Sequence, residues 1–280
     1  MAEADAATVP LEARSPYEMR VKLGDGLEET TVRQALKTGD MGFMHSYTTG
    51  SAVDGPGIRV VAWTTACMFR CQYCHNPDTW TLSNGIPVSL EAAVDKLRSY
   101  AGGIKRMNGG FTLSGGEPLM QDRFAIRLLA AAKDMGIHTA IETNGYLGER
   151  LSDEELNEID LVLLDMKAFT LEHHKTVAGI ANEPVIAFAR RLAALGRPMW
   201  LRYVLVPGLT DVVSEMEQLA DFAAELGNVQ RVEILPFHQL GEYKWDKLDV
   251  GYQLHGVEMP KQEAVAAAIA IFAARGLKAC

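Results

Sequence analysis

The chain has 280 residues, of which 48% are apolar, and a formal net charge of −9 at pH 7. This length suits a single α/β barrel with enough apolar material for a core. The acidic balance argues against a nucleic-acid-binding protein, because neutralising phosphates requires a concentrated basic face. No apolar run reaches the ~18 residues that span a bilayer, and the acidic start lacks the pattern of a secretory signal. We therefore expect a cytoplasmic protein that does not bind membranes.

The first 44 residues are predicted to be an N-terminal extension. They are mostly polar, contain several prolines and glycines, and show only weak helical periodicity between positions 28 and 37. Such a composition predicts a mostly flexible arm with one short helix. No composition break divides residues 45–280, which are predicted to form one domain.

A regular alternation of strand-like and helical segments begins at Ile58. The predicted strands are 58–64, 111–113, 137–142, 161–164, 199–206 and 231–235. The predicted helices are 89–100 with Ser89 as its cap, 123–135 closed by Gly136, one opened by the capping-box pair Ser152 and Glu155, 183–195, one capped by Ser214, and 260–275. Six successive β-then-α units predict a parallel sheet covered by helices. An open doubly wound sheet and a barrel both satisfy this repeat, and six units favour an α/β partial (β/α)6 TIM-like barrel. In either case, the chemistry belongs at the carboxyl ends of the strands.

Three of the four cysteines lie within eight residues, directly after the first predicted strand. Cys67, Cys71 and Cys74 have the spacing C-x3-C-x2-C, whereas Cys280 is the last residue and is predicted to be a spectator at a frayed terminus. Clustered thiolates suit zinc or an iron–sulfur cluster. A structural zinc site normally has a fourth ligand, for which the adjacent His75 is a candidate. A four-iron cluster held by three cysteines leaves one iron open, and spacing alone does not decide between these metals.

The cysteine motif, with an aromatic residue before its last cysteine, resembles the signature of the radical S-adenosylmethionine (SAM) superfamily. The resemblance implies a [4Fe-4S] cluster on the three cysteines and a SAM molecule on the open iron. One electron from the cluster then cleaves SAM to methionine and a 5′-deoxyadenosyl radical. The residues beside the last cysteine are implied to contact SAM: Tyr73, Cys74 and His75.

Later strand ends carry further motifs of this superfamily. Segment 114–118, Ser-Gly-Gly-Glu-Pro, is an ordinary glycine turn by itself, but after a three-cysteine loop it resembles the motif that holds the methionine amino group. His238 follows the sixth strand, where a structural histidine is the commoner reading, and Arg202 lies on the fifth. The resemblance implies these further SAM-binding residues: Gly115, Gly116, Glu117, Asp165, Met166, Lys167 and His238.

Two carboxylates at neighbouring strand ends allow a second interpretation. Asp165 and Glu142 could simply pair with Lys167 in a surface salt bridge. The resemblance instead implies a monovalent cation site beside SAM, formed by Glu142, Thr143, Leu163 and Asp165. Oxygen ligands of this kind suit a hard cation. The family pattern has aspartate where this chain has Glu142.

Four long segments resemble the pyruvate formate-lyase activating enzymes: 53–59, 73–80, 200–208, and 235–241 together with Lys244 and Trp245. That resemblance implies an oxidoreductase that removes one hydrogen atom from a glycine α-carbon of pyruvate formate-lyase and leaves a glycyl radical. It also implies that Asp54 touches the partner's glycine loop, and that flavodoxin or ferredoxin supplies the electron. The alternatives are an activase of another glycyl radical enzyme, another radical SAM enzyme, or a non-enzymatic zinc-binding module.

Overall fold

The computed structural model describes residues 29–280 of the chain. Eight helices occur in this part: α1 Glu29–Thr38, α2 Leu90–Arg106, α3 Asp122–Asp134, α4 Leu171–Ala178, α5 Glu183–Ala194, α6 Val213–Leu226, α7 Glu242–Lys247 and α8 Gln262–Ala273. Eight strands accompany them: β1 Met41–Ser51, β2 Arg59–Thr64, β3 Ile86–Ser89, β4 Gly110–Gly115, β5 His138–Thr143, β6 Leu161–Asp165, β7 Met199–Leu205 and β8 Val229–Pro236.

All eight strands form one sheet in the order β3-β1-β2-β4-β5-β6-β7-β8. The six predicted strands are β2 and β4 to β8, and each pairs in parallel with its neighbour. Strands β3 and β8 are the two edges, so within the described residues the sheet does not close on itself. The prediction of an α/β partial barrel is confirmed.

Strands β1 and β3 were not predicted, and they change the domain boundary. Strand β1 pairs antiparallel with both β2 and β3, and its residues Met41 and Met44 are buried. The predicted boundary after residue 44 is therefore wrong, because it cuts through a strand of the sheet. The short helix predicted near 28–37 corresponds to α1. The predicted flexibility of residues 1–28 lies outside the described residues.

Several helix ends follow the predicted local chemistry, and others do not. Ser89 caps α2, because its hydroxyl accepts from the Ala92 N–H at 3.1 Å. The Ser152–Glu155 capping box forms both of its hydrogen bonds, at 2.8 and 3.1 Å, yet it opens only a single 3₁₀ turn. Ser214 does not cap α6, which begins after Val212. The helix predicted from residue 260 begins two residues later, and α4 was missed.

Alternation along the parallel strands separates the core from the interior of the barrel. Outward-facing residues such as Ile141, Val162 and Leu164 join the main apolar core under the helices. Inward-facing residues near the strand ends are polar: Glu142 and Asp165 line the interior cavity, and β6 and β7 pair Asp165 with Arg202. Since side chains alternate with period two, the same strands hold the core and present the polar groups of the site.

The carboxyl terminus extends the sheet beyond β8. The Cys280 N–H donates to the Val232 carbonyl at 3.0 Å, and the Ile234 N–H donates to the Cys280 carbonyl at 2.9 Å. The predicted fraying of this terminus is therefore wrong. Within the described residues, no helix combines the length and apolarity that crossing a bilayer requires.

Candidate functional site

One cavity of about 580 Å³ lies at the carboxyl ends of the parallel strands. Most of the predicted site residues line it: Asp54, Cys67, Cys71, Tyr73, Cys74, His75, Gly115, Gly116, Glu142, Thr143, Asp165, Lys167 and His238. Three others do not: Glu117, Leu163 and Met166 are fully buried behind the wall. Residues on every parallel strand, together with the loop between β1 and β2, thus face one space.

The cysteine loop, residues 65–80, is anchored at its base and at its middle. Ala66 and Cys67 donate to the carbonyls of Thr79 and Trp80 at 2.8 and 3.1 Å, which closes the loop. The Arg70 N–H donates to the Ala178 carbonyl at the end of α4 at 2.9 Å. The loop therefore holds its three cysteines on a frame of backbone hydrogen bonds.

The two glycines of segment 114–118 make room for this loop. A Cβ atom on Gly116 would lie 2.4 Å from the Ala66 carbonyl oxygen, and one on Gly115 would lie 2.2 Å from the Thr64 backbone. Gly115 also has a positive φ of 131°. Both positions thus require glycine because the segment packs directly on the start of the cysteine loop.

Burial of the three thiols disfavours their charged forms. Burial raises the pKa of Cys67 and Cys74, and raises that of Cys71 to about 12. Backbone N–H groups of Phe69 and Asn76 oppose this effect at Cys67 and Cys74. A bound metal keeps such thiols as thiolates. Among the described residues, no three His, Cys, Asp or Glu side chains converge on a single-ion site. A four-iron cluster needs no such convergence, because each cysteine binds a different iron.

Glu117 has a structural position that the sequence motif does not indicate. Its carboxylate accepts from the N–H groups of Leu119 and Asn144 at 2.9 and 2.7 Å and from the Thr143 hydroxyl at 2.8 Å. Burial raises its pKa to about 7, against the effect of these donors. The side chain ties the segment after β4 to the end of β5 and does not face the cavity.

The carboxylates that line the cavity are already paired with cationic side chains. Asp165 lies 2.9 Å from the Lys167 ammonium. Glu142 accepts from the Arg202 guanidinium at 2.5 Å and from the Ser114 hydroxyl at 2.5 Å. Burial alone would lower the pKa of Lys167, but Asp165, Tyr73 and Cys71 together outweigh it and hold that pKa well above its ordinary value. A cation at this edge would compete with Arg202 for the Glu142 carboxylate.

Arg202 also connects this edge to the segment that contains Asp54. Its guanidinium donates to the Val53 carbonyl, lies 3.6 Å from Asp54, and bonds Glu233 at 2.9 Å. Burial raises the pKa of Asp54, and the negative charge of Glu142 adds to that effect. Arg202 does not line the cavity, but it forms a buried link beneath the cavity wall.

Two buried polar atoms at the cavity have no hydrogen-bond partner among the described residues. They are Nδ1 of His238 and the hydroxyl of Tyr73. The ring of His238 meets that of His75 edge-on at a centroid distance of 4.9 Å. Unsatisfied buried polar atoms are costly, so these two fit a polar ligand such as SAM. The donor set of three cysteines likewise fits the implied cluster.

Comparison with known proteins assigns the family. The Radical SAM superfamily matches residues 61–223. The pyruvate formate-lyase-activating enzyme of Staphylococcus aureus is 40% identical over 234 residues, which cover 81% of this chain and 93% of that protein. The chain belongs to the pyruvate formate-lyase-activating enzymes of the radical SAM superfamily.

Two solved structures are similar to this chain. A domain of a pyruvate formate-lyase-activating enzyme from Bacteroides vulgatus matches with a TM-score of 0.50 and 28% identity, over 61% of this chain and 98% of that chain. A radical SAM methyltransferase from Sphaerobacter thermophilus shares the fold, with a TM-score of 0.58 and 16% identity over 91% of this chain and 81% of that chain.

The activating-enzyme chain carries two site features that were not predicted as such. Helix α7 packs on the cysteine loop: the Trp245 indole donates to the Cys74 carbonyl at 2.9 Å, and the Lys244 ammonium lies 2.8 Å from the Asn76 side chain and 3.1 Å from Asp78. The resemblance at Lys244 and Trp245 was the only sequence signal for this contact. Asn144 also lines the cavity, and nothing in its local sequence indicated that role.

Proposed function

We propose that this radical SAM enzyme activates pyruvate formate-lyase by removing one hydrogen atom from the α-carbon of a glycine in that partner, which leaves a glycyl radical. The observation that carries the proposal is the convergence of the three cysteines, most of the implied SAM residues and Asp54 on one cavity. The 40% identity to an enzyme named for this activity supports it.

The bound groups supply the radical chemistry. When bound, the cluster and SAM would supply one-electron cleavage of the sulfonium C–S bond, with methionine as one product and, after the glycine hydrogen atom is taken up, 5′-deoxyadenosine as the other. Cys67, Cys71 and Cys74 would hold the [4Fe-4S] cluster.

The chain's own residues bind and orient the cofactor. Lys167 and Asp165 present a charged pair at the end of β6, and the unpartnered His238 and Tyr73 offer polar contacts. A SAM carboxylate would find positive charge at Lys167, and its ammonium would find carboxylates along the same wall. Because Glu117 faces away from the cavity, its contribution is to shape the backbone of the segment 114–118 rather than to bind the amino group directly.

The partner's glycine must leave its own core to reach this cavity. Val53 is 70% exposed while its neighbour Asp54 is buried at the cavity wall, so the segment has one face toward solvent and one toward the site. We place the partner peptide along Asp54, with entry permitted by the unclosed sheet. The site would act in the cytoplasm with flavodoxin or ferredoxin as electron donor.

A monovalent cation is a further part of the proposal. Its ligands would be Glu142, Thr143, Asp165 and the carbonyl of Leu163, and it would share the Glu142 carboxylate with Arg202. An activase of a different glycyl radical enzyme is the second candidate function, since the same cavity serves any glycine loop of suitable sequence.

The test is oxygen-free reconstitution with iron and sulfide, followed by reductant, SAM and purified pyruvate formate-lyase. We expect a glycyl radical signal in electron paramagnetic resonance that requires every component. Alanine at Cys67, Cys71 or Cys74 should abolish the cluster and 5′-deoxyadenosine formation, whereas the matched control Cys280→Ala should retain both. Formation of 5′-deoxyadenosine without the glycyl signal would overturn the choice of partner and leave the radical SAM chemistry in place.

A further inference from the structure

The side chain of Asn144 points its amide nitrogen at the cysteine loop. Nδ2 lies 3.9 Å from the Cys67 sulfur and 3.6 Å from the Met68 sulfur. An N–H···S hydrogen bond is longer than N–H···O because sulfur is the larger acceptor. The residue is only 4% exposed, so water competes little for this donor.

One hydrogen bond orients that side-chain amide, and two more hold the backbone beside it. Its carbonyl oxygen Oδ1 accepts from the Tyr146 N–H at 3.0 Å, which forms a local turn and leaves the NH₂ group facing the sulfur atoms. Its own backbone N–H donates to Glu117 at 2.7 Å. The following Gly145 N–H donates to the Thr143 hydroxyl at 2.9 Å. A side-chain amide held at its oxygen, on a backbone that is itself hydrogen-bonded, is a preorganised donor rather than a mobile side chain.

We propose that Asn144 is a positioning residue that hydrogen-bonds the Cys67 thiolate and raises the reduction potential of the iron–sulfur cluster. The inference rests on the cluster of the proposed function. Adding an electron increases the negative charge on the cluster and its thiolates, so a fixed N–H donor stabilises the reduced form more than the oxidised form. The donor thereby eases the electron transfer that the proposed reaction requires.

Glu117 contacts Asn144 and also acts electrostatically on Cys67. Its carboxylate holds the Asn144 backbone, and its negative charge acts on the Cys67 thiol. A nearby negative charge disfavours reduction of the cluster, whereas the Asn144 donor favours it. The Asn144 donor therefore offsets part of the unfavourable effect that the Glu117 charge has on reduction of the cluster.

The experiment is a redox titration of the reconstituted full chain without SAM, followed by electron paramagnetic resonance of the reduced cluster. Asn144→Asp keeps the shape and the acceptor for Tyr146 but replaces the donor by a carboxylate, and Asn144→Ala removes the donor without adding a charge. Both should shift the midpoint potential to a lower value. The control Met68→Leu removes the other sulfur near Nδ2 and should titrate as the wild type does.

Each outcome decides the inference. A lowered potential in the Asn144 variants, with Met68→Leu unchanged, supports it. Unchanged potentials in Asn144→Asp and Asn144→Ala, or weakened SAM affinity as their only defect, would assign Asn144 to cofactor binding and overturn it. A wild-type chain that assembles no cluster would overturn the inference together with the proposed function, which distinguishes the two failures.

Discussion

The Arg202 guanidinium donates to the Glu142 carboxylate at 2.5 Å, which joins strand β7 to strand β5 across the wall of the cavity. The same guanidinium donates to the Val53 carbonyl, next to Asp54. One buried cation therefore contacts both the edge where a monovalent cation is proposed and the segment proposed to meet the partner peptide. Burial alone would lower the pKa of Arg202, but Glu142 and Glu233 raise it, so the group is charged at all physiological pH.

The first prediction concerns the length of the side chain at position 142. Glu142→Asp shortens the side chain by one methylene, which moves the carboxylate away from Arg202. The carboxylate is then free to bind a monovalent cation. We expect SAM affinity to depend more steeply on K⁺ or Na⁺ in this variant than in the wild type, where Arg202 already neutralises the carboxylate. Isothermal titration of SAM across cation concentrations checks this. Equal cation dependence in both proteins would show that Arg202 does not compete for the site.

The second prediction concerns Glu117 and pH. Its pKa in the folded chain is about 7, against an ordinary value of 4.5, so the native state binds its proton more tightly than the unfolded state does. The corresponding stability is fully present below about pH 4.5 and is lost as pH rises through about 7. A group with this shift contributes up to about 3 kcal/mol across that window.

Glu117→Gln cannot titrate and should lack this component. Denaturant unfolding of the cluster-free wild type and variant at pH 5.5 and pH 8 measures the difference in the free energy of unfolding. The wild type should lose stability relative to Glu117→Gln on going to pH 8. The same difference at both pH values would mean that the three hydrogen bonds to Glu117 keep it ionised throughout.

Local sequence chemistry accounts for much of the fold but not for its edges. The apolar runs of the six parallel strands and the cap at Ser89 act through near neighbours, so they could be predicted. Strand β1 is half polar and exposed toward its end, and only its pairing with β2 identifies it. The start of α4 is held by Glu215, whose carboxylate accepts from the Phe169 and Thr170 N–H groups at 3.1 and 3.0 Å.

In the candidate site, the positions of the residues could be predicted from the sequence, but the directions of some side chains could not. The cysteines, Asp165, Lys167 and His238 follow strand ends, where a parallel sheet brings residues together. Glu117 and Asn144 lie in equally recognisable segments, but the direction of a side chain depends on the donors around it. Three such donors turn Glu117 away from the cavity, and the Tyr146 N–H turns the Asn144 amide toward the cysteines. The local sequence does not indicate these side-chain orientations.

The third prediction concerns the contact between α7 and the cysteine loop. The Lys244 ammonium lies 3.1 Å from the Asp78 carboxylate. Burial alone would raise the pKa of Asp78, but His45 and Lys244 together hold it below its ordinary value. Lys244→Met removes the cation and leaves a half-buried carboxylate. We expect faster amide hydrogen exchange in residues 74–80 and accelerated loss of a reconstituted cluster.

The matched control for that variant is Lys247→Met, on the same helix. Lys247 is exposed and lies 5.1 Å from the Tyr243 ring, away from the loop. Its exchange pattern and cluster lifetime should remain those of the wild type. Equal amide hydrogen exchange in residues 74–80 in all three proteins would show that α7 contacts the cysteine loop without stabilising it.

The last prediction concerns Arg59, which is fully buried beneath the Asp54 segment. Its guanidinium donates to the Phe111 carbonyl at 2.6 Å and to the Thr112 hydroxyl at 2.9 Å, and that hydroxyl donates to the Asp54 carbonyl at 2.6 Å. Burial lowers the pKa of Arg59 to about 10, so it remains charged at neutral pH. This chain of hydrogen bonds fixes the backbone of Asp54 from below.

Arg59→Met breaks that chain and leaves buried acceptors unpaired, at a cost of about 3 kcal/mol in the free energy of unfolding. The exposed Arg98, paired with Asp95 on α2, is the control, and Arg98→Met should cost less than about 1 kcal/mol. Because the damage falls on the Asp54 segment, glycyl radical formation should decline more than SAM cleavage by dithionite-reduced enzyme without the partner. If both rates fall by the same factor, Arg59 supports the fold generally and does not act through Asp54.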